Sequence, residues 1–170
     1  NCTYCYMFNR GNDDYTTRPA RIKGQTIDEI VSFIAKGARD LKVEHLAVVL
    51  HGGEPLMLRK PDFESLCEKL RQKLGGTVNL TIATQTNAIL VDEEWVSIFE
   101  RHKVHPSVSL DGPPRVHDRN RRDKRDRGTY AKTLMGLDLL QKACLAGRIA
   151  PTGIICVVDP QSDAREVYRH

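Results

Sequence analysis

Leu46-Ala47-Val48-Val49-Leu50-His51-Gly52-Gly53-Glu54-Pro55 is the stretch whose reading sets the fold class. Five apolar residues in a row, closed by a glycine pair, read as a strand buried on both faces, the kind found in parallel sheets. Upstream, Thr26 with Glu29 three residues later forms a capping-box pattern. Ile27, Ile30, Val31, Ile34, Ala38 and Leu41 then repeat at helical spacing, which predicts a helix over 26–41. Downstream, Phe63, Leu66, Cys67, Leu70 and Leu74 make a second helical stripe that stops at Gly75-Gly76. The alternation continues with a β-rich run over 78–83, a short helix that Asp92 can cap, a strand over 106–110, a helix over 130–144 and an apolar strand over 153–158. If the segment holding Cys2 to Met7 follows a first strand, the order is β and then αβ four times. Right-handed crossovers then demand a parallel sheet or barrel, uninterrupted by linker or repeat.

The chain has 170 residues, 40% hydrophobic and 28% charged, which fits one globular domain and excludes a disordered or fibrous chain. No apolar run is longer than Leu46 to Leu50, far short of the roughly 20 residues of a membrane span. The net charge is +4, and the seven basic and three acidic residues from Arg115 to Arg127 account for all of it. A broad nucleic-acid-binding face is therefore not expected. Five cysteines, an odd number, argue against a disulfide framework and for a reducing, cytoplasmic setting. With Cys2 and Cys5 at the extreme start and no Met before them, the chain reads as a piece of a longer protein.

In parallel α/β folds ligands gather at the carboxyl ends of the strands. Here those ends carry Cys2-Thr3-Tyr4-Cys5, His51-Gly52-Gly53-Glu54-Pro55, Thr84-Gln85-Thr86-Asn87 and Ser109-Leu110-Asp111-Gly112, four polar motifs on one rim. Two thiolates two residues apart can grip one metal centre from a single loop, which leaves zinc and iron–sulfur chemistry both open. A thioredoxin-like pair should open a helix, and 6–18 lacks helical periodicity. Cys67, Cys144 and Cys156 lie on helical stripes or in an apolar strand and read as small buried hydrophobes. Gly52-Gly53 lets backbone approach a ligand, Glu54 adds a carboxylate acceptor and Pro55 fixes the turn. Taken alone, the same residues also suit a plain tight turn.

Together, these four motifs resemble the radical SAM superfamily, and the resemblance runs almost the whole chain. Ser109-Leu110-Asp111-Gly112-Pro113-Pro114, followed by Val116-His117-Asp118-Arg119-Asn120-Arg121 and Gly128-Thr129-Tyr130, is similar to the peptide- and protein-modifying branch with a SPASM or twitch extension. That branch includes anaerobic sulfatase-maturating enzymes and peptide-crosslinking maturases. The resemblance implies a partial (β/α)6-type barrel, with 1–170 a core domain incomplete at both ends, about five strands present, and little activity in the piece alone.

It further implies a Cys-x-x-x-Cys-x-x-Cys loop holding a [4Fe-4S] cluster. Cys2 and Cys5 are its second and third thiolates, and the first would stand three residues before Asn1. The cluster's fourth iron would bind S-adenosylmethionine, with Tyr4 on the adenine side and Gly52, Gly53 and Glu54 at the methionine amino group. Ser109 would serve the ribose and Arg121 the methionine carboxylate, a pairing that suits a planar guanidinium. Gln85 and Asn87 join the cofactor set, while Ala88 stands where many relatives have glycine. Arg122, Lys124, Arg125 and Arg127 are left to solvent or substrate. The implied partners are a peptide or protein substrate and a one-electron reductant protein, with no nucleic acid and no membrane. Two other classes stay open: a radical SAM enzyme acting on RNA through the basic segment, and a noncatalytic zinc-binding interaction domain built on Cys2 and Cys5.

Overall fold

Helices α1 (Gly24–Asp40), α2 (Lys60–Leu74), α3 (Glu93–His102), α4 (Pro114–Asn120), α5 (Tyr130–Leu145) and α6 (Ala164–Arg169) alternate with strands β1 (His45–Leu50), β2 (Asn79–Thr86), β3 (Val104–Ser109) and β4 (Gly153–Ile155). The computed structural model describes residues 2–9, 11 and 13–170. The strands form one parallel sheet in the order β1-β2-β3-β4. Each crossover steps to the next strand in the same direction, with Leu46 opposite Leu80, Thr84 opposite Pro106 and Val108 opposite Ile154. Such a singly wound sheet puts its helices on one face and its strand C-termini on one rim.

The core lies between that sheet face and the helices. Leu46, Val48, Leu80, Ile82, Val104 and Val108 meet Phe63, Leu70, Trp95, Phe99 and Leu140. Phe63 stands edge-on to Trp95 at 5.1 Å between ring centroids, pinning α2 to α3. Cys67 is wholly buried on α2, and burial pushes its thiol up to about 12, so it is a packed, inert group. Among the described residues no helix is long and apolar enough to cross a membrane.

Several expectations need correction. The run Leu46–Leu50 is not buried on both faces: β1 is an edge strand of alternating exposure, and Val49 is 54% exposed. The face away from the helices carries small or polar groups such as Thr81, Gln85 and Ser109, a difference that five consecutive apolar residues in β1 do not reveal. Among the described residues the sheet has four strands, and Cys2 makes only an isolated antiparallel bridge to Arg121. The last strand covers three residues, not 153–158, since Val157 turns its N–H away to the Asp111 carboxylate. The Thr26/Glu29 capping box does not form. Helix α1 starts at Gly24 without a side-chain cap, so Thr26 lies inside the first turn and Glu29 accepts from the Gln25 amide instead.

Candidate functional site

The cysteine loop is closed by its own backbone and by Asn9. Cys5 N–H donates to the Cys2 carbonyl at 3.1 Å, and the Asn9 amide donates to the carbonyls of Cys2 and Thr3. Thr3 N–H then donates to the Asn120 carbonyl at 3.0 Å, tying the loop to the end of α4. Both thiols are half-buried and free of disulfides. Asn1, part of the opening motif, lies outside the described residues, and so does any thiolate upstream of it.

The end of α4 delivers Arg121 into the same place. The residue is 9% exposed, and its guanidinium forks onto Asp111, Nε to Oδ2 at 2.7 Å and Nη2 to Oδ1 at 3.2 Å. Nη1 points to Cys2 Sγ at 3.8 Å, and the plane lies over the Tyr4 ring, 5.4 Å from its centroid. Tyr4 donates its hydroxyl to Asp111 Oδ2, and Val157 N–H donates to Oδ1 at 3.0 Å. Burial opposes the Arg121 charge, but the hydrogen bonds and charge of Asp111 outweigh it and hold the guanidinium above its ordinary value. Burial, seconded by the bond to Asp111, raises the Tyr4 phenol, which stays protonated.

At the end of β1, Gly52 takes φ +141°, a conformation glycine alone adopts without strain. A Cβ on Gly53 would lie 3.2 Å from the Phe8 ring. The Glu54 carboxylate clamps two strand ends: Oε1 accepts from Leu56 N–H at 3.1 Å and Thr86 Oγ1 at 2.6 Å, and Oε2 accepts from Asn87 N–H at 2.9 Å. Its donors are neutral, and partial burial raises its affinity for a proton despite them. A cleft of about 260 Å³ opens here, lined by Arg21, Leu50, Gly53, Glu54 and Met57 among others. One strand over, Gln85 donates to Ser109 Oγ at 2.9 Å. Asn87 accepts from Ile89 N–H through its side chain and from the Thr133 hydroxyl through its carbonyl. Ala88 takes the left-handed φ of +60°.

The structure thus brings Cys2, Tyr4 and Arg121 into direct contact, pairs Glu54 with Asn87 and Gln85 with Ser109, and sets all of these at one rim. Five basic side chains of the 115–127 segment are paired, Arg115 with Glu166, Arg119 with Asp159, Arg121 with Asp111, Arg122 with Asp126 and Arg127 with Asp123. Sequence reasoning passed over Asp111 as a ligand-site residue although it quoted the motif. The available signal was a carboxylate at a strand end just before Gly112, whose φ is +107°. Among the described residues no group of three or more His, Cys, Asp or Glu converges as a metal site.

Comparison with known proteins follows this geometry. The family model described as the radical SAM superfamily matches residues 1–168. The cysteine-type anaerobic sulfatase-maturating enzyme of Clostridium perfringens is 26% identical over 171 residues, 99% of this chain and 44% of the relative. The serine-type anaerobic sulfatase-maturating enzyme of Bacteroides thetaiotaomicron is 29% identical over 141 residues, 83% of this chain and 33% of the relative. A solved structure of anSMEcpe with bound AdoMet and the Kp18Cys peptide superposes with a TM-score of 0.80 at 25% identity, over 99% of this chain and 43% of that one. The chain spans less than half the length of the relatives it matches.

Proposed function

Because the chain belongs to the radical SAM superfamily, whose members use a [4Fe-4S] cluster and S-adenosylmethionine, we propose that it is the cofactor-binding core of a maturase that acts on a peptide or protein side chain. The observation that carries this reading is the meeting of Cys2, Tyr4, Asp111 and Arg121. The donor set fits an iron–sulfur cluster: two free thiols on one tight loop, with a buried guanidinium beside one of them. A zinc ribbon would need a second cysteine pair. When bound, the cluster supplies the electron that splits S-adenosylmethionine into methionine and the 5′-deoxyadenosyl radical that abstracts hydrogen from the substrate.

In this reading the chain's own residues bind and orient. Tyr4 lies on the adenine side. Gly52 and Gly53 open the backbone toward the methionine amino group, and the Glu54 carboxylate accepts from that group. Gln85 orients Ser109 toward the ribose, and Asn87 holds Glu54 in place through its N–H. Asp111 takes the Nε–H and one Nη2–H of Arg121, so Nη1, which also lies near Cys2 Sγ, and the second Nη2–H are the donors left for the methionine carboxylate. The relatives' maturation of sulfatases and the bound peptide of anSMEcpe support a peptidyl substrate over RNA. A one-electron reductant protein and a reducing, cytoplasmic setting complete the proposal.

The test is made on the full-length protein, reconstituted anaerobically with iron and sulfide. Cys2→Ala and Cys5→Ala should each abolish the broad visible absorption and 5′-deoxyadenosine formation under reductant. Cys67→Ala should keep both and cost roughly 1 kcal/mol of packing. A wild-type protein that forms no 5′-deoxyadenosine, or a folded Cys67 variant that loses its cluster, would overturn the assignment.

A further inference from the structure

His117 is wholly buried on α4, four residues before Arg121, and the proposed chemistry gives it no task. Its two ring nitrogens are both engaged. Asp111 N–H donates to Nδ1 at 3.3 Å, so Nδ1 is the unprotonated nitrogen and the ring proton sits on Nε2. Nε2 is 3.2 Å from Thr129 Oγ1, and the Thr129 hydroxyl donates onward to the Arg121 carbonyl at 3.0 Å. The chain runs in one direction, from the Asp111 amide through imidazole and hydroxyl to the Arg121 carbonyl, and spans the backbones of both members of the ion pair.

Thr129 supports this reading independently. It stands at the N-cap of α5, where a threonine hydroxyl ordinarily accepts from the helix's first amides, yet it makes no cap bond. Asp118 takes over that duty, accepting from Tyr130 N–H at 2.8 Å, and Gly128 packs so closely on Asp118 that a Cβ would lie 2.2 Å from its carboxyl carbon. The Thr129 hydroxyl is thereby released to join His117 to Arg121.

We propose that neutral His117, through Thr129, is a positioning residue that fixes the spacing and orientation of Asp111 and Arg121 for S-adenosylmethionine. The proposal rests on the reading of Arg121 as the carboxylate partner. Protonation would put a hydrogen on Nδ1 facing the Asp111 N–H, donor against donor, and break the chain at its first link. The groups facing the ring are Arg121 and Asp118 from α4 and its end, Asp111 from the end of β3, Tyr130 from α5, edge-on at 5.7 Å between ring centroids, and His170 near α6. Burial, then the Arg121 charge, holds the imidazole below its ordinary value of 6.5, with His170 acting the same way and Asp111 and Asp118 opposing. The neutral form therefore prevails at neutral pH and is lost on acidification.

The experiment measures S-adenosylmethionine affinity by equilibrium dialysis on the reconstituted full-length enzyme, with cluster absorbance as the control. Thr129→Val should weaken binding about tenfold and Thr129→Ser should restore it to within about twofold. His117→Asn keeps the acceptor for Asp111 and does not titrate, so the advantage of wild type over this variant should hold from about pH 8 to about 6.5 and shrink as pH falls below about 6.5. A role confined to packing would lower thermal stability and leave that ratio constant with pH. Wild-type affinity in Thr129→Val, or a pH-independent ratio, would overturn the proposal. Arg121→Lys separates the two readings: undiminished affinity there removes the cofactor-site reading itself, whereas loss there with Thr129→Val intact removes only the positioning role of His117.

Discussion

The Asp111 carboxylate accepts from Arg121 twice, from Tyr4 and from Val157 N–H, and so decides what Arg121 can still offer a ligand. Arg121→Lys should lower S-adenosylmethionine affinity about ten- to a hundredfold, the worth of one charge-assisted bond of roughly 1.5–3 kcal/mol, because an ammonium cannot hold Asp111 by a fork and reach a second carboxylate. Arg125→Lys, on an exposed loop residue, should leave affinity unchanged; binding titrations of both variants decide the matter, and a larger loss at Arg125 would place the contact on the wrong arginine. Glu54 gives a second test. Its folded affinity for a proton is raised above the ordinary 4.5, so its contribution to stability is full below that pH and is lost as pH rises through the elevated folded value. The thermal stability of wild type relative to Glu54→Gln should accordingly decline as pH rises above 4.5, and a rising difference would show that the carboxylate is held by a cation. That Cys2, Tyr4, Glu54 and Arg121 gather at one rim was legible in the sequence through the resemblance whose motifs contain them. Asp111 was not, since its importance comes from partners that approach it from Tyr4, Arg121 and Val157, far apart along the chain.

Among the elements, helices were easier to read than their ends and faces. The stripe Phe63, Leu66, Cys67, Leu70 and Leu74 is the buried side of α2, and Asp92 caps α3 through Trp95 N–H at 2.8 Å, as the pattern predicts. Helix α1 begins at Gly24, upstream of its supposed cap, with Thr26 inside its first turn. The turn after β2 shows what the sequence hides: Ala88 is left-handed and wholly buried, and the helix that packs on it presents a glycine, Gly136. A Cβ on Gly136 would lie 2.0 Å from the Ala88 carbonyl oxygen, and that backbone atom cannot yield cheaply. Helix propensity favours Ala over Gly by about 1 kcal/mol, yet overpacking should win, and Gly136→Ala should destabilise the protein by about 1–3 kcal/mol. Gly37 in α1 has nothing within 4 Å of its Cβ direction, so Gly37→Ala should stabilise by about 0.5–1 kcal/mol. Chemical denaturation of the two variants should give opposite signs; equal signs would mean that the α5 contact with the Ala88 turn is not tight.

At the scale of the whole molecule the charge pattern decides between partners. The +4 concentrated at 115–127 was visible in the sequence, but its pairing was not, because Glu166, Asp159 and Asp111 approach from other parts of the chain. With Arg122 and Arg127 held by Asp126 and Asp123 in their own loop, and Arg115, Arg119 and Arg121 by carboxylates outside it, the basic side chains of the segment without an ion pair among the described residues are Lys124 and Arg125. An RNA-binding face made of six to ten cation–phosphate contacts would lose about a thousandfold or more in affinity between roughly 50 and 200 mM salt. Two contacts on a single strand give a slope of only about −1.4 in log K against log salt, a loss of about sevenfold over the same range. Binding of single-stranded RNA by the full-length enzyme should therefore be weak and shallow in salt. Filter binding across that range checks it: a steep slope that flattens on Arg115→Ala and Arg119→Ala would mean that those arginines leave Glu166 and Asp159 for phosphate, and that the basic segment is a nucleic-acid site after all.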